Sequence, residues 1–295
     1  MILVVGATGA LGSEVCRNLR ARGLPVRGLV RVGSAGEAAL RAIGVEIAYG
    51  DLREPTTLVP ACRGIASVIT TATAMGAKDK SLTLRAIDRD GQLQLVKAAI
   101  AAGVQRYVYV SVSPVLQPPA PLVRYKREVE RAVRASGMTY TILQPSVFME
   151  IWLGAPLGWD VAAGRAMVFG AGTAPMRWIS LQDVAEHAVR ALDDTRLANR
   201  ELPLGGPEGI APNDVVRLFE KRAGRRFRTT RVPRPFLKLV SPIASLFNEQ
   251  VGSGMGMGAQ SAMGDMFETP LQSELGLPLV TLSEYVDRVL AGPTS

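Results

Sequence analysis

The 295-residue chain holds one histidine, two cysteines and only 5% aromatic residues, and each scarcity removes a class of function. A single imidazole and two thiols cannot assemble the Cys/His set of an ordinary zinc site, so no metal is expected. Cys16 and Cys62 fall inside segments of helical pattern and read as buried free thiols of a reducing compartment, which makes a cytoplasmic location the expectation. The low aromatic content, with no helix-turn-helix or RNA-recognition pattern, argues against nucleic acid as a partner. No run of about 18 uninterrupted apolar residues occurs, as a spanning helix would require. The most apolar stretch, Phe236 to Phe247, is broken by Lys238 and Pro242. A strand-like run, Ile2 to Val5, follows Met1 directly and leaves no room for a signal peptide.

What is present describes a folded globular protein, with 47% apolar and 20% charged residues. The formal charge of +8 is unevenly placed. Residues 1–150 carry 19 Lys and Arg against 11 Asp and Glu, whereas residues 151–295 carry 15 of each. The first half therefore holds the whole excess, as suits a region that collects a polyanionic ligand. Within the neutral half, residues 217–234 contain eight basic residues and one acid. That segment reads either as a solvated helix face and loop or as a surface for an anionic partner, protein or lipid headgroup.

Short β-branched runs alternate with amphipathic stretches through residue 145. The runs are Ile2–Val5, Val26–Val30, Val45–Tyr49, Ser67–Thr71, Arg106–Val112 and Thr139–Leu143. Helical periodicity covers Leu11–Arg22, Ala35–Ile43, Thr56–Cys62, Leu82–Ala102 and Leu122–Ser136. Apolar strands without strict alternation, each followed by a helix, imply a doubly wound parallel sheet of α/β class. The expected division is a nucleotide-binding core over 1–150 and a smaller, mainly helical substrate or partner region over 151–295, packed on the core as one unit. In that region Ser180–Leu192 reads as a helix with Ser180 as N-cap and Asp183 three residues on, and Ala211–Ala223 as another. Pro203–Gly209 reads as loop. Gly252–Gly264, rich in Gly and Met, reads as a flexible surface loop or as a lid over an apolar site.

The strongest motif is Gly6-Ala7-Thr8-Gly9-Ala10-Leu11-Gly12, between the first strand and the first helix. Gly6 permits the tight turn, Gly9 lets backbone approach a pyrophosphate, and Gly12 lets helix and strand pack closely. Thr8, Ala10 and Leu11 sit where the free N–H groups and positive dipole of the helix meet the anion. A dinucleotide with an unmodified ribose usually meets Asp or Glu at the end of the second strand. Here Arg31, Val32, Gly33 and Ser34 follow that strand, and no acid appears before Glu37. Arg31, assisted by Ser34, is placed to pair a 2′-phosphate, so NADP is expected over NAD.

Further residues keep register with these: Gly50-Asp51-Leu52, Thr71-Ala72-Thr73, Tyr107 to Ser111, Lys126, and Tyr140-Thr141-Ile142-Leu143-Gln144-Pro145. Together they resemble the NmrA-like branch of the atypical short-chain dehydrogenase/reductases, over at least the first 235 residues or so. Members that assist photosystem II assembly and members that reduce quinones are both similar. The resemblance implies that Asp51 and Leu52 border the adenine and that Thr71, Ala72 and Thr73 line the cofactor. It also implies that Pro145, Ser146 and Val147 face the nicotinamide.

Short-chain dehydrogenases usually carry Tyr and Lys four residues apart on one helix, so that the ammonium lowers the tyrosine pKa and holds the ribose. Lys126 fits the lysine position, yet Leu122 stands four residues earlier, and Tyr125 is about 100° round the helix. Lys126 is thus either a cofactor-ribose contact or a solvated lysine among Arg124, Arg127, Arg131 and Arg134. Ser111 and Ser113, after the fifth strand, are candidates to orient a substrate carbonyl or are plain strand-end hydroxyls. Gln144 stands where many relatives carry Arg. His187, four residues after Asp183, reads as a core or ion-paired histidine. Two functions fit: a reductase passing hydride from NADPH to a small carbonyl, enone or quinone, or a nucleotide-binding regulator or assembly factor without turnover. The oligomeric state stays open.

Overall fold

The computed structural model describes residues 1–292. The chain begins β1 (Ile2–Val5), α1 (Ala10–Ala21), β2 (Val26–Val30), α2 (Glu37–Ala42), β3 (Glu46–Tyr49), α3 (Pro55–Cys62) and β4 (Ser67–Thr70). A π-helical segment over Arg85–Gly91 runs into α4 (Gln92–Ala101), followed by β5 (Arg106–Val110), α5 (Pro121–Arg134) and β6 (Thr139–Pro145). Next come α6 (Met149–Trp152), β7 (Arg165–Phe169), α7 (Leu181–Arg190), β8 (Arg200–Leu204), α8 (Pro212–Ala223) and β9 (Arg228–Val232). The last helices are α9 (Arg234–Phe247), α10 (Glu249–Ser261), α11 (Pro270–Leu275) and α12 (Leu282–Ala291). These elements form two compact units interleaved along the chain. One comprises Met1–Val112, Pro121–Gln144 and Val184–Leu202; the other comprises Ser113–Ala120, Pro145–Asp183 and the chain from Pro203 onward.

The first unit is built on a seven-stranded sheet in the order β3-β2-β1-β4-β5-β6-β8. Neighbours from β3 through to β6 pair in parallel, so the doubly wound sheet expected from the sequence is present. Its central strands are buried on both faces: Leu3, Val4, Ile69, Val108 and Ile142 are wholly inaccessible. Helix α1 covers them with Leu11, Val15, Cys16 and Leu19, the spacing of one helical face. Each large apolar side chain so buried contributes roughly 1.5–3 kcal/mol. Cys16 and Cys62 are buried free thiols, and burial pushes them up to about 12 and about 11, so both stay protonated and inert at neutral pH.

The loop expected over Pro203–Gly209 starts later than the sequence suggested, because Arg200–Leu204 forms β8, the seventh strand. β8 ends the sheet order, and an edge position tolerates Pro203, which has no N–H to give a ladder.

The second unit holds a two-stranded parallel sheet, with Arg165 opposite Arg228 and Phe169 opposite Val232. Its core gathers Trp159, Trp178, Val215, Phe219, Phe227, Tyr285 and Val286. Both indoles are satisfied, Trp159 Nε1 donating to Met167 O at 3.0 Å and Trp178 Nε1 to Ile210 O at 2.8 Å. Residues 252–264, expected as a loop or lid, instead supply most of helix α10. Asn248 caps it by accepting from the N–H groups of Gln250 and Val251. Glycine costs a helix about 1 kcal/mol relative to alanine. Here close packing against α9 offsets that cost: a Cβ on Gly252 would fall 2.0 Å from Ser245 Oγ.

Candidate functional site

Because β3, β2, β1, β4 and β5 run parallel, their carboxyl ends share one edge of the sheet. Strand order reverses between β1 and β4, and open α/β sheets bind ligands at such a switch point. The loop after β1 occupies it. Gly6 there has φ of +85°, and a Cβ would meet Ala72 N and Thr71 Oγ1 at 2.8 Å. A Cβ on Gly12 would lie 2.0 Å from Gly6 O, so helix α1 starts against the loop itself. By contrast, a Cβ on Gly9 would meet only Gly6 O, at 3.3 Å, leaving its outer side open. Gly9 is the N-cap of α1, without a side-chain cap and with no acid in the first turn. The opening N–H groups at Ala10, Leu11 and Gly12 therefore face a position suited to an anion, and the cradle fits a pyrophosphate.

The sequence-derived residues of this unit gather around that loop. Thr71 N donates to Val5 O at 2.9 Å, which holds Thr71, Ala72 and Thr73 beside it. Gly36 gives the β2–α2 loop room to close on Thr8, since a Cβ there would lie 2.9 Å from Thr8 Cβ. Ser34 sits in that same loop, its N–H bonded to Arg31 O at 3.1 Å. Arg31 follows the last residue of β2, its side chain half-exposed, with the nearest carboxylate, Asp79, at 3.7 Å. Leu52 is buried beneath Gly91 of the π-helical segment. Asp51 is engaged locally, its carboxylate taking Arg53 at 2.6–3.1 Å. Burial would raise its pKa, but Arg53 outweighs burial and holds it below the usual carboxylate range.

Lys126 corrects one reading of the sequence. It is not a solvated lysine: only 4% of it is accessible. It shares the buried face of α5 with Leu122, Val129 and Val133, while the neighbouring arginines occupy other faces. Its Nζ donates to Val110 O at 3.0 Å and lies 3.7 Å from Asp88 Oδ1. Asp88, wholly buried in the π-helical segment, accepts from Ala74 N at 2.8 Å. Burial pushes Lys126 down and Asp88 up, each opposed by the other's charge. The pair thus ties α5 to the end of β5 and to the loop after β4.

Asp88 and Glu130 escaped the sequence reading. Glu130, one turn beyond Lys126, is buried and accepts from Ser111 Oγ at 2.6 Å, Arg127 at 2.6 Å and Gln144 Nε2 at 3.2 Å. Their signal was available: each is an acid falling on the apolar stripe of its helix. Ser111 donates its hydroxyl proton to Glu130 and is therefore not free to donate to a substrate carbonyl.

Ser113 and the three residues Pro145, Ser146 and Val147 belong to the second unit. There, Ser113 Oγ donates to Asp265 Oδ1 at 2.5 Å and Ser146 Oγ donates to Asp265 Oδ2 at 2.6 Å. Asp265 is buried, and desolvation raises its pKa against these two hydrogen bonds. No sequence signal marked Asp265, which follows the glycine-rich stretch. Asp183 accepts from Ser180 N and Val280 N, and burial pushes it up to about 6. His187 is a fully buried core residue.

Sheet order and loop together define a Rossmann-type α/β protein with a glycine cradle at its switch point. A profile of the NmrA-like family matches residues 1–274, and the chain belongs to that family. The photosystem II assembly factor Ycf39 of Synechocystis sp. is 29% identical, over 98% of this chain and 91% of that protein. An NAD(P)H azoreductase of Xenophilus azovorans is 35% identical over 77% of this chain and 76% of that protein. Among solved structures, the Escherichia coli NADPH-dependent quinone oxidoreductase QOR2 with NADPH superposes at a TM-score of 0.76. It is 21% identical over 98% of this chain and 100% of that one, a likeness of fold.

Proposed function

We propose that this chain is an NADPH-dependent reductase acting on a small planar acceptor of the quinone, azo or enone type. The observation that carries the reading is the carboxyl edge of the sheet. It offers an open glycine cradle beside an unobstructed helix N-terminus, with Arg31 and Ser34 where an NAD-specific site would place a carboxylate. The activities of the similar azoreductase and quinone oxidoreductase support the same reading.

When bound, NADPH would supply the hydride; the chain supplies position. The N–H groups opening α1 would hold the pyrophosphate, and Arg31 with Ser34 would hold the 2′-phosphate. Thr71, Ala72 and Thr73 would wall the cofactor, and Asp51 and Leu52 would border the adenine. Lys126 fixes the end of β5 through Val110 O and would hold the cofactor ribose. Leu122 stands in place of the usual tyrosine, so the acceptor must need only a weak acid.

A second reading has its own support. The match to a photosystem II assembly factor spans 91% of that protein, and the missing tyrosine suits a chain that binds the nucleotide without turnover. Incubating the protein with NADPH and a panel of quinones, azo dyes and enones, and following the nicotinamide absorbance, separates the two. Consumption supports the reductase; binding without consumption overturns it in favour of the regulator; no binding overturns both.

A further inference from the structure

Helix α9 lays an apolar face open to solvent. Phe236 is 53% exposed, Leu239 71%, Ile243 55%, Leu246 83% and Phe247 87%. At about 100° per residue these five side chains fall within an arc of about 100°. Leu237 and Ser241 are buried on the opposite side, where Ser241 Oγ donates to Gly252 O of α10 at 2.8 Å. The hairpin of α9 and α10 is therefore packed on one side only. The pairing is close, since a Cβ on Gly256 would fall 2.9 Å from Ser241 Oγ. Such a stripe is the wrong sign of surface for water, and a run of large apolar groups in one patch marks an interaction site.

The charge of the chain leading into α9 says what covers it. Between Glu220 and Glu249 the chain has eight Lys and Arg and no acid. Arg222 and Arg226 pair with Asp287 and Glu220. Arg225, Arg231 and Arg234 bond to carbonyl or amide oxygens, and none of the three has an ion pair among the described residues. Arg228 and Lys238 have no ion pair among the described residues. By the same 100° per residue Lys238 lies on the polar side of α9, about 130° from the middle of the stripe, and the exposed arginines lie in the chain that leads into the helix. An apolar face with cations on the polar side of the same helix matches an anionic bilayer surface, where the cations reach headgroups and the stripe enters the acyl boundary. Helix α9 has 14 residues, about 21 Å, and no helix among the described residues is long and apolar enough to cross a membrane. The geometry points to α9, with the basic residues from Arg225 to Lys238, as a peripheral docking surface for an anionic lipid bilayer. This surface lies in the second unit and does not depend on what the glycine cradle binds.

The test is flotation of the full chain with vesicles of phosphatidylcholine alone and of phosphatidylcholine containing phosphatidylglycerol. Flotation is expected with the anionic vesicles only, falling as salt is raised. Leu239→Glu with Leu246→Glu should abolish it, and Arg228→Glu with Lys238→Glu should weaken it by about fivefold or more per charge. All four positions are exposed, and unchanged thermal unfolding of the variants confirms that the fold is kept. Absence of flotation with anionic vesicles, or flotation indifferent to both double variants, overturns the proposal. So does a concentration-dependent dimer, lost in Leu239→Glu, from a wild-type chain that ignores vesicles, because a second copy then covers the stripe.

Discussion

Replacing Lys126 by Met would remove the cation from a pair in which both partners are at most 5% exposed. At the observed 3.7 Å, and with an effective dielectric of about 20, the attraction is about 4–5 kcal/mol before desolvation is counted. Desolvation cancels much of that in the intact pair. Removing one partner is a different matter: Asp88 would stay buried and lose the charge that opposes its desolvation, at a cost of about 3–5 kcal/mol. Against a total stability of order 5–15 kcal/mol this is a large loss. Asp88→Asn added to Lys126→Met should recover part of it, because the amide can still accept from Ala74 N while carrying no charge. The assay is urea unfolding of the wild type, both single variants and the double variant without ligand. A coupling of about 2–3 kcal/mol is expected. If Lys126→Met leaves the ligand-free protein within about 0.5 kcal/mol of wild type and lowers only NADPH affinity, the structural role assigned to the pair is wrong.

Other consequences are as direct. Gly12→Ala must push Gly6 O outward by about 1 Å from its 2.0 Å contact, and NADPH should bind about 100-fold more weakly, or about 2.7 kcal/mol, in a titration. Unchanged affinity would mean that the loop does not hold the ligand. Asp183 is raised from 3.8 to about 6, so its stabilising proton is fully present below pH 4 and is lost as pH rises through 6. Asp183→Asn should therefore gain on the wild type by about 3 kcal/mol between pH 4 and 7, and parallel stability profiles would refute that.

The first six strands were legible because each is an apolar run bounded by turns, and buried parallel strands leave that trace. The glycine loop was legible because close approach admits only glycine at Gly6 and Gly12. β8 was hidden: Arg200-Glu201-Leu202-Pro203-Leu204 is polar and contains proline, as only an edge strand permits. Helix α10 was hidden for a related reason, since glycines that look like a flexible loop in sequence allow a close helix pair in space. The solvated alternative for Lys126 rested on the charges beside it in sequence, whereas its register with Leu122, Val129 and Val133 puts it inside. Asp265 reaches Ser113 and Ser146 across 152 and 119 residues of sequence, a separation no local pattern encodes.

The most direct measurement is a titration of the purified protein with NADPH and, in parallel, NADH. If the glycine cradle and Arg31 do what their geometry supports, NADPH binds and NADH binds at least about tenfold more weakly, a difference of 1.4 kcal/mol. In Arg31→Ala that preference should collapse. Binding of neither dinucleotide, or tighter binding of NADH, would contradict the assignment of this edge of the sheet as an NADPH site.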